Sequence, residues 1–191
     1  MLVYKYGIDQ YESELMAKLV QAQNNLTALR FEHWHKYELY SINWWLLILI
    51  VLTSWVIWMR LVDKRQIKDC LLVGLSIGLM SLIVDYIGGE KLFWVYPVTI
   101  YPLLPRLLEI DLAALPVSYM LIYQYYPKWK AYIIALIILG AMLSFVAEPL
   151  YHLSDGYQPL VWKYYYSLPI YIIMGVFIKW FIIKLRHIEQ R

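Results

Sequence analysis

Long apolar runs separated by short polar connections make up most of this chain, and only the first 42 residues follow a different pattern. A helix needs roughly 20 mainly apolar residues to cross hydrocarbon about 30 Å thick. Runs near this length occupy residues 43–59, 70–87, 112–126, 131–147 and 167–185, and the third is short unless the preceding LLEID segment enters the membrane with it. The pattern predicts an all-α integral membrane protein, a bundle of about five transmembrane helices.

The N-terminal segment predicts an amphipathic helix from about Asp9 to Tyr40, followed by an interfacial stretch. An apolar stripe recurs there at alternating spacings of four and three: Leu15, Leu19, Ala22, Leu26 and Leu29. The stripe predicts a helix packed on the membrane surface or on its own protein, and a helix of a dimer is the alternative. The chain therefore divides into residues 1–42, a five-span domain at 43–186 and a tail at 187–191.

Composition supports the membrane class and excludes several others. Hydrophobic residues are 62% of the chain and charged residues 16%, with a mean hydropathy of +0.53, which is too apolar for an ordinary soluble domain. The net charge of +3 comes from cations beside the ends of apolar runs, so no nucleic-acid partner is predicted. Because Cys70 is the single cysteine, an intramolecular disulfide and a cysteine-clustered metal site are both excluded. MLVYKYGIDQ lacks the features of a signal peptide, so the first span is expected to direct insertion.

The distribution of cations predicts the orientation. Residues 60–69, 127–130 and the tail from Lys179 hold ten of the 17 lysines and arginines, whereas the two opposite connections hold Lys91, Arg106 and Lys163. Cytoplasmic connections carry the excess of positive charge. We therefore expect a multi-pass protein of the cytoplasmic membrane with its N-terminus outside and its C-terminus in the cytoplasm.

This orientation brings two polar stretches, residues 85–111 and 148–171, to the outer face. Each contains an acid at the end of an apolar run, a Trp-x-Tyr pair and a proline, so the two could be halves of a pseudo-symmetric bundle. Asp85 and Glu148 occupy matching places, and an ionised carboxylate at mid-membrane costs roughly 2.5–3.5 kcal/mol even on lenient scales. Arg106 is the expected tie to Asp85, Glu148 or Asp111, because its guanidinium carries a permanent charge and five donors.

Asp85 and Glu148 are the candidate catalytic residues. The candidate binding set at the outer face is Asp85, Glu90, Trp94, Tyr96, Arg106, Asp111, Glu148, Trp162 and Tyr164. No metal site and no cofactor are predicted, since His33 and His35 are two residues apart and point in different directions on a helix. Gly74 and Gly78 in the second run predict close contact with another helix.

Several motifs between Trp44 and Leu185 resemble a family of small multi-spanning membrane proteins from endospore-forming bacteria. They are WWLL, WVYP, YPLLPRL, DLAALPVSYMLIYQYYPKWK, EPL, WKYYYS, PIYIIMG and FIKW. This resemblance implies a multi-spanning bundle and no particular activity. A fainter likeness is to integral-membrane lycopene cyclases, although their Pro-x-Glu-Glu type motif is absent, since neither Pro105-Arg106 nor Pro149-Leu150 is followed by paired acids.

Three functions remain open from the sequence. The first is a structural, binding or accessory component of the membrane with a polar cluster at its outer face. The second is an enzyme that acts on an isoprenoid or lipid through Asp85 and Glu148. The third is a transporter of small solutes or ions, which five short spans would form only as an oligomer. The expected partners are membrane lipid and either a second copy of the chain or another membrane protein.

Overall fold

A computed structural model describes residues 10–104 and 108–189, and about four fifths of them are helical. The all-α class is therefore confirmed. Four helices are long and apolar enough to cross a membrane: Ile42–Leu61, Ile67–Glu90, Trp129–Leu153 and Tyr164–Ile188. We number the α-helices α1 (Gln10–His33), α2 (Ile42–Leu61), α3 (Ile67–Glu90), α4 (Leu115–Tyr125), α5 (Trp129–Met142), α6 (Glu148–Leu153) and α7 (Tyr164–Glu189), and the short strands β1 (Trp94–Val95) and β2 (Gln158–Pro159).

The third predicted span is a shorter, buried helix. It consists of a π-helical turn, Ile110–Ala114, followed directly by α4, and together their 5 and 11 residues rise about 24 Å. That is less than the roughly 30 Å of bilayer hydrocarbon. Leu115, Val117, Tyr119 and Met120 are each at most 5% exposed, so α4 lies in the core of the bundle instead of facing lipid.

Contacts between α3 and α4 show that these two helices are antiparallel. The Cys70 thiol near the start of α3 lies 3.8 Å from the Gln124 side chain at the end of α4. The Ser81 hydroxyl, further along α3, lies 3.4 Å from the backbone oxygen of Asp111 at the start of the π turn. The segment from Ile110 to Tyr125 therefore runs between the two ends of the bundle, although it is not one of the four long apolar helices.

The two ends of the bundle have different polar contacts. We call the end with β1 and β2 the hairpin face; its two strands pair antiparallel, Trp94 with Pro159 and Val95 with Gln158. The opposite end is the Asp69 face, where Asp69 forms an ion pair with Arg186. The hairpin joins the α3–α4 connection to the α6–α7 connection, which are the two stretches that the sequence singles out.

The two glycines of α3 allow close helix contact, as predicted. A Cβ at Gly74 would lie 2.6 Å from the Met120 sulfur on α4. One at Gly78 would lie 2.8 Å from a Leu112 methyl and 3.2 Å from the backbone oxygen of Asp111. Because a larger side chain at either position would push α3 away, these glycines fix the position of α4 and of the acidic residue that precedes it.

The fourth predicted span continues past its predicted end at Ala147. A π turn, Leu143–Ala147, links α5 to α6, and Pro149 lies two residues beyond the turn. Pro116 likewise lies two residues beyond the π turn that precedes α4. A proline lacks the N–H of the helical ladder and clashes with the carbonyl four residues earlier, and a widened turn just before it accommodates both defects. The helix therefore carries Glu148 inside it instead of at its end.

The N-terminal helix does not pack along its own protein. Leu15, Leu19, Leu26 and Leu29 are 43–62% exposed, so the predicted packing of this stripe on its own protein is wrong. Its contacts with the rest of the chain lie near its end, where Phe31 packs edge to face on Tyr101 and the Trp34 indole N–H donates to the backbone oxygens of Thr99 and Ile100. The membrane surface and a second copy remain the predicted partners of the stripe, and its capping residue Asp9 lies outside the described residues.

Candidate functional site

The bundle contains a cavity of about 410 Å³ near the hairpin face. It lies between α2 on one side and the segment from Leu143 to Ser154 with the start of α7 on the other. The walls are mainly apolar and aromatic: Leu46, Ile50, Val84, Trp94, Tyr96, Ile110, Leu143, Ala147, Leu150, Tyr151, Tyr157, Trp162, Ile170 and Tyr171. Glu148 is the one ionisable carboxylate among the described lining residues. The cavity thus combines an apolar volume with a single acidic side chain.

Glu148 is held by hydroxyl donors on α7. The Ser167 hydroxyl donates to Oε2 at 3.0 Å and the Tyr171 hydroxyl donates to Oε1 at 3.0 Å. The Trp162 indole N–H donates in turn to the Ser167 oxygen at 2.9 Å. The indole N–H occupies one lone pair of the Ser167 oxygen, and the Ser167 hydrogen points to Glu148. The carboxylate therefore receives one directed donor on each oxygen.

Two further acidic residues, Asp85 and Asp111, lie beside the same cavity. Tyr96 lines the cavity, and its hydroxyl donates to Asp85 at 3.1 Å. The Asp85 carboxyl in turn lies within hydrogen-bonding reach of Asp111, which is only 3% exposed. Burial, and then the charge of Asp85, raise the pKa of the Tyr96 hydroxyl well above its usual range. Tyr96 therefore stays protonated and acts as a hydrogen-bond donor at the cavity wall.

Aromatic rings from the hairpin form much of the wall near these acids. The indole rings of Trp94 and Trp162 are 4.9 Å apart at 73°, and Phe93 stacks on Trp162 at 5.8 Å. Tyr96 and Tyr157 are 5.5 Å apart. Burial, followed by the charge of Glu148, raises the pKa of Tyr157 as well. The pairing of β1 with β2 brings Trp94 and Tyr96 next to Tyr157 and Trp162. The two pairs of residues are at least 61 positions apart in the sequence.

The structure gathers part of the predicted binding set and separates the rest. Trp94, Tyr96, Glu148 and Trp162 line the cavity, and Asp85 and Asp111 lie behind it. Glu90 is exposed at the end of α3 and is not a lining residue. The Tyr164 hydroxyl lies 2.6 Å from Nδ1 of His152, away from Glu148. Arg106, the proposed tie between the acids, lies outside the described residues.

The two Trp-x-Tyr pairs do not have equivalent roles. Tyr96 binds the acid of its own half, Asp85, whereas the acid of the second half binds Tyr171, which is seven residues beyond Tyr164. The pseudo-symmetric arrangement of the two halves stays a prediction. Ser167 and Tyr171 are not among the residues predicted from the sequence. They lie four positions apart on α7, on either side of Pro169, and this spacing places two hydroxyl groups on one side of the helix.

The buried carboxylate of Glu38 attaches the N-terminal helix to the bundle. Glu38 is 7% exposed and accepts hydrogen bonds from the Thr99 backbone N–H at 2.7 Å and the Thr99 hydroxyl at 3.2 Å. Nδ1 of His33 lies 2.7 Å from its other oxygen. Among the described residues, no group of three or more histidine, cysteine, aspartate or glutamate side chains is placed to hold a metal ion. Glu38 and His33 therefore form a structural tie in this arrangement.

Comparison of the chain with protein-family models, with curated proteins and with solved structures gave no match. The class of the protein consequently rests on its own fold and cavity. Four apolar helices of membrane-spanning length surround a shorter central helix, and a cavity with one carboxylate opens near one end. These features define a helical, membrane-embedded protein. The likeness to the family from endospore-forming bacteria stays a prediction.

Proposed function

We propose that this protein is a binding component of the cytoplasmic membrane that holds an amphipathic small molecule or lipid in the cavity beside Glu148. The observation that carries the proposal is the combination of a volume of about 410 Å³ with one carboxylate in an otherwise apolar and aromatic wall. Pockets for small molecules have this composition, since apolar surface supplies affinity and a few placed polar groups fix orientation. The polar end of the ligand lies at Glu148, and its apolar body lies toward α2.

The exposure of the side chains at the rim supports entry from the lipid. Leu46 on α2 is 44% exposed and Leu150 on α6 is 60% exposed, and both line the cavity. An amphipathic molecule in the bilayer reaches such an opening without leaving hydrocarbon. The cation distribution supports an orientation with the hairpin face outside and the C-terminus in the cytoplasm.

Native mass spectrometry of the protein purified in a neutral detergent tests this proposal. We expect a retained mass on the wild type, which is then released by denaturation and identified. Ala147→Phe should reduce retention because Ala147 lines the cavity, whereas Ile138→Phe should not, because Ile138 is 62% exposed on the outer side of α5. Equal retention by both variants, or no retained mass on the wild type, would argue against a ligand in this cavity.

A catalytic role is the second candidate, and one observation favours it. Two carboxylate–tyrosine pairs, Asp85 with Tyr96 and Glu148 with Tyr171, reach the same cavity from different helices. Such pairs can exchange protons with a bound isoprenoid or lipid. The test is incubation of protein and bound ligand in D₂O, where an acid–base enzyme incorporates deuterium into carbon positions of the ligand. Incorporation that persists unchanged in Asp85→Asn and Glu148→Gln would exclude these residues.

The structural alternative predicts a different response. If the acids only join the helices, Asp85→Asn and Glu148→Gln should lower the thermal unfolding midpoint. The amount of retained ligand per folded protein molecule should then be the same as in the wild type. Under the binding proposal, Glu148→Gln loses ligand even where the protein stays folded. Glu12→Gln on the exposed N-terminal helix is the control for both, since Glu12 contacts neither the cavity nor the hairpin.

A further inference from the structure

We infer that the polar end of the ligand is an organic cation, an ammonium group on an apolar body, recognised by Glu148 and by the aromatic rings of the hairpin. This inference rests on the proposed function, because it names the ligand chemistry of the same cavity. Three features of the site carry it: the directed hydrogen bonds on Glu148, the described charges around it and the rings beside it.

The hydrogen bonds around Glu148 suit a carboxylate. Ser167 and Tyr171 each donate to a different oxygen, and the Trp162 indole N–H donates to the Ser167 oxygen. Donors to both oxygens stabilise the ionised form. Each carboxylate oxygen keeps a further lone pair, and these lone pairs are available to a ligand.

Described lysines and arginines do not neutralise this carboxylate. Within residues 10–104 and 108–189, the ion pairs join Arg186 to Asp69 and His33 to Glu38. Glu148 is bound by neutral hydroxyls instead. A buried negative charge is costly unless it is paired, so a cationic ligand supplies a charge that the described part of the bundle does not.

The aromatic walls complete a cation site. Trp94, Trp162 and Tyr157 line the cavity together with Glu148, and the two indole rings are 4.9 Å apart. The face of an aromatic ring attracts a cation within about 6 Å, and tryptophan does so best. Cages of aromatic rings recognise quaternary ammonium groups, and Glu148 adds a carboxylate beside the rings here. Anionic headgroups are disfavoured here, since the Glu148 carboxylate would repel them.

Cavity size sets the length of the probe. At about 30 Å³ per water-sized group, 410 Å³ accommodates roughly 14 such groups. Decyltrimethylammonium has about 14 non-hydrogen atoms and fits this volume, and 1-decanol offers a similar chain with a neutral polar end. The two probes share the decyl chain and differ in the end that faces Glu148, which is a charged trimethylammonium group in one and a neutral hydroxyl in the other.

The experiment is a calorimetric titration of both probes into the purified full-length protein in a neutral maltoside detergent. We expect the wild type to bind decyltrimethylammonium at least tenfold more tightly than 1-decanol. Glu148→Gln should reduce this ratio to about one, because the amide removes the charge and retains the shape. Asp155→Asn is the matched control, since it removes one negative charge from an exposed position on the hairpin face, and the ratio should not change.

Each result has a distinct meaning. Equal affinity of the wild type for both probes would overturn the inference and leave the proposed binding function intact. Failure of both probes to bind, together with no retained mass in native mass spectrometry, would overturn the proposed function as well. A preference for the cation that persists in Glu148→Gln would also refute the inference, because the charge would then be recognised elsewhere.

A second arm distinguishes two sources of the ammonium group. Protein in nanodiscs of phosphatidylethanolamine and phosphatidylglycerol is compared with protein in nanodiscs in which an uncharged glycolipid replaces the phosphatidylethanolamine, so that the membrane charge is the same in both. If an aminophospholipid is the natural ligand, its presence should weaken decyltrimethylammonium binding and its mass should be retained on the protein. If a free lipophilic amine is the ligand, the probe affinity should be the same in both. This comparison is made after the titration has shown that the wild type binds decyltrimethylammonium more tightly than 1-decanol.

Discussion

Replacing Lys179 with methionine should destabilise the bundle at the Asp69 face. The Lys179 side chain is only 3% exposed. Its ammonium group donates to the backbone oxygens of Tyr126 and Pro127, both at 2.9 Å. It also lies 3.9 Å from the centre of the Tyr132 ring. Lys179 therefore ties α7 to the connection between α4 and α5.

The magnitude follows from these contacts. A hydrogen bond from a charged donor contributes about 1.5–3 kcal/mol, and a desolvated cation–π contact contributes about 2 kcal/mol. Methionine carries no charge, so the variant also avoids the cost of burying an ammonium group, and this offsets the loss by several kcal/mol. We expect a net loss of about 3 kcal/mol, and for a chain of this length that lowers the unfolding midpoint by roughly 6–12 °C.

Thermal unfolding in a neutral detergent, followed by circular dichroism, measures this loss. Lys184→Met is the matched control, because Lys184 lies on the same helix and is exposed, and its effect should stay within about 0.5 kcal/mol. Equal midpoints for the two variants would refute the argument that Lys179 fixes the connection between α4 and α5.

Three further predictions concern the hairpin face. Ser167→Ala removes the hydroxyl between Trp162 and Glu148, and should lower the free energy of unfolding by about 1–3 kcal/mol and weaken ligand binding, measured by denaturation and titration. Gly88→Ala places a Cβ against the Trp94 indole, and should lower the unfolding midpoint through overpacking worth about 1–3 kcal/mol; an unchanged midpoint would contradict that contact. Glu38→Gln should speed hydrogen exchange at residues 34–38, while Glu32→Gln, at an exposed position, should not.

Local patterns were sufficient to locate the membrane helices. The runs at 43–59, 70–87 and 167–185 correspond to α2, α3 and α7, each of which extends by one to four residues at its ends. Apolar length alone carries this information, because hydrocarbon requires that each spanning segment satisfy its own backbone hydrogen bonds. The close helix contact at the two glycines of α3 could be predicted for a similar reason, since a missing side chain permits close approach whichever helix is opposite.

Local patterns were not sufficient where one helix depends on another. The run at 112–126 has the apolar character of a span, yet it forms a short helix buried among its neighbours. The apolar run at 131–147 is followed by Glu148, yet the helix continues through a π turn to Leu153. In both cases a proline breaks the regular ladder, and only the packing around it decides whether the helix stops or continues.

The sequence by itself determined the class of the protein and the approximate position of its helices, and it identified Asp85 and Glu148 as candidate site residues. Hydropathy is a local property, so it could be read without knowing which segments meet. The tertiary structure alone decided that Ser167 and Tyr171 hold Glu148, that Tyr96 holds Asp85, and that the hairpin places their rings around one cavity. These contacts join residues on different helices and strands, and their geometry depends on how those elements pack.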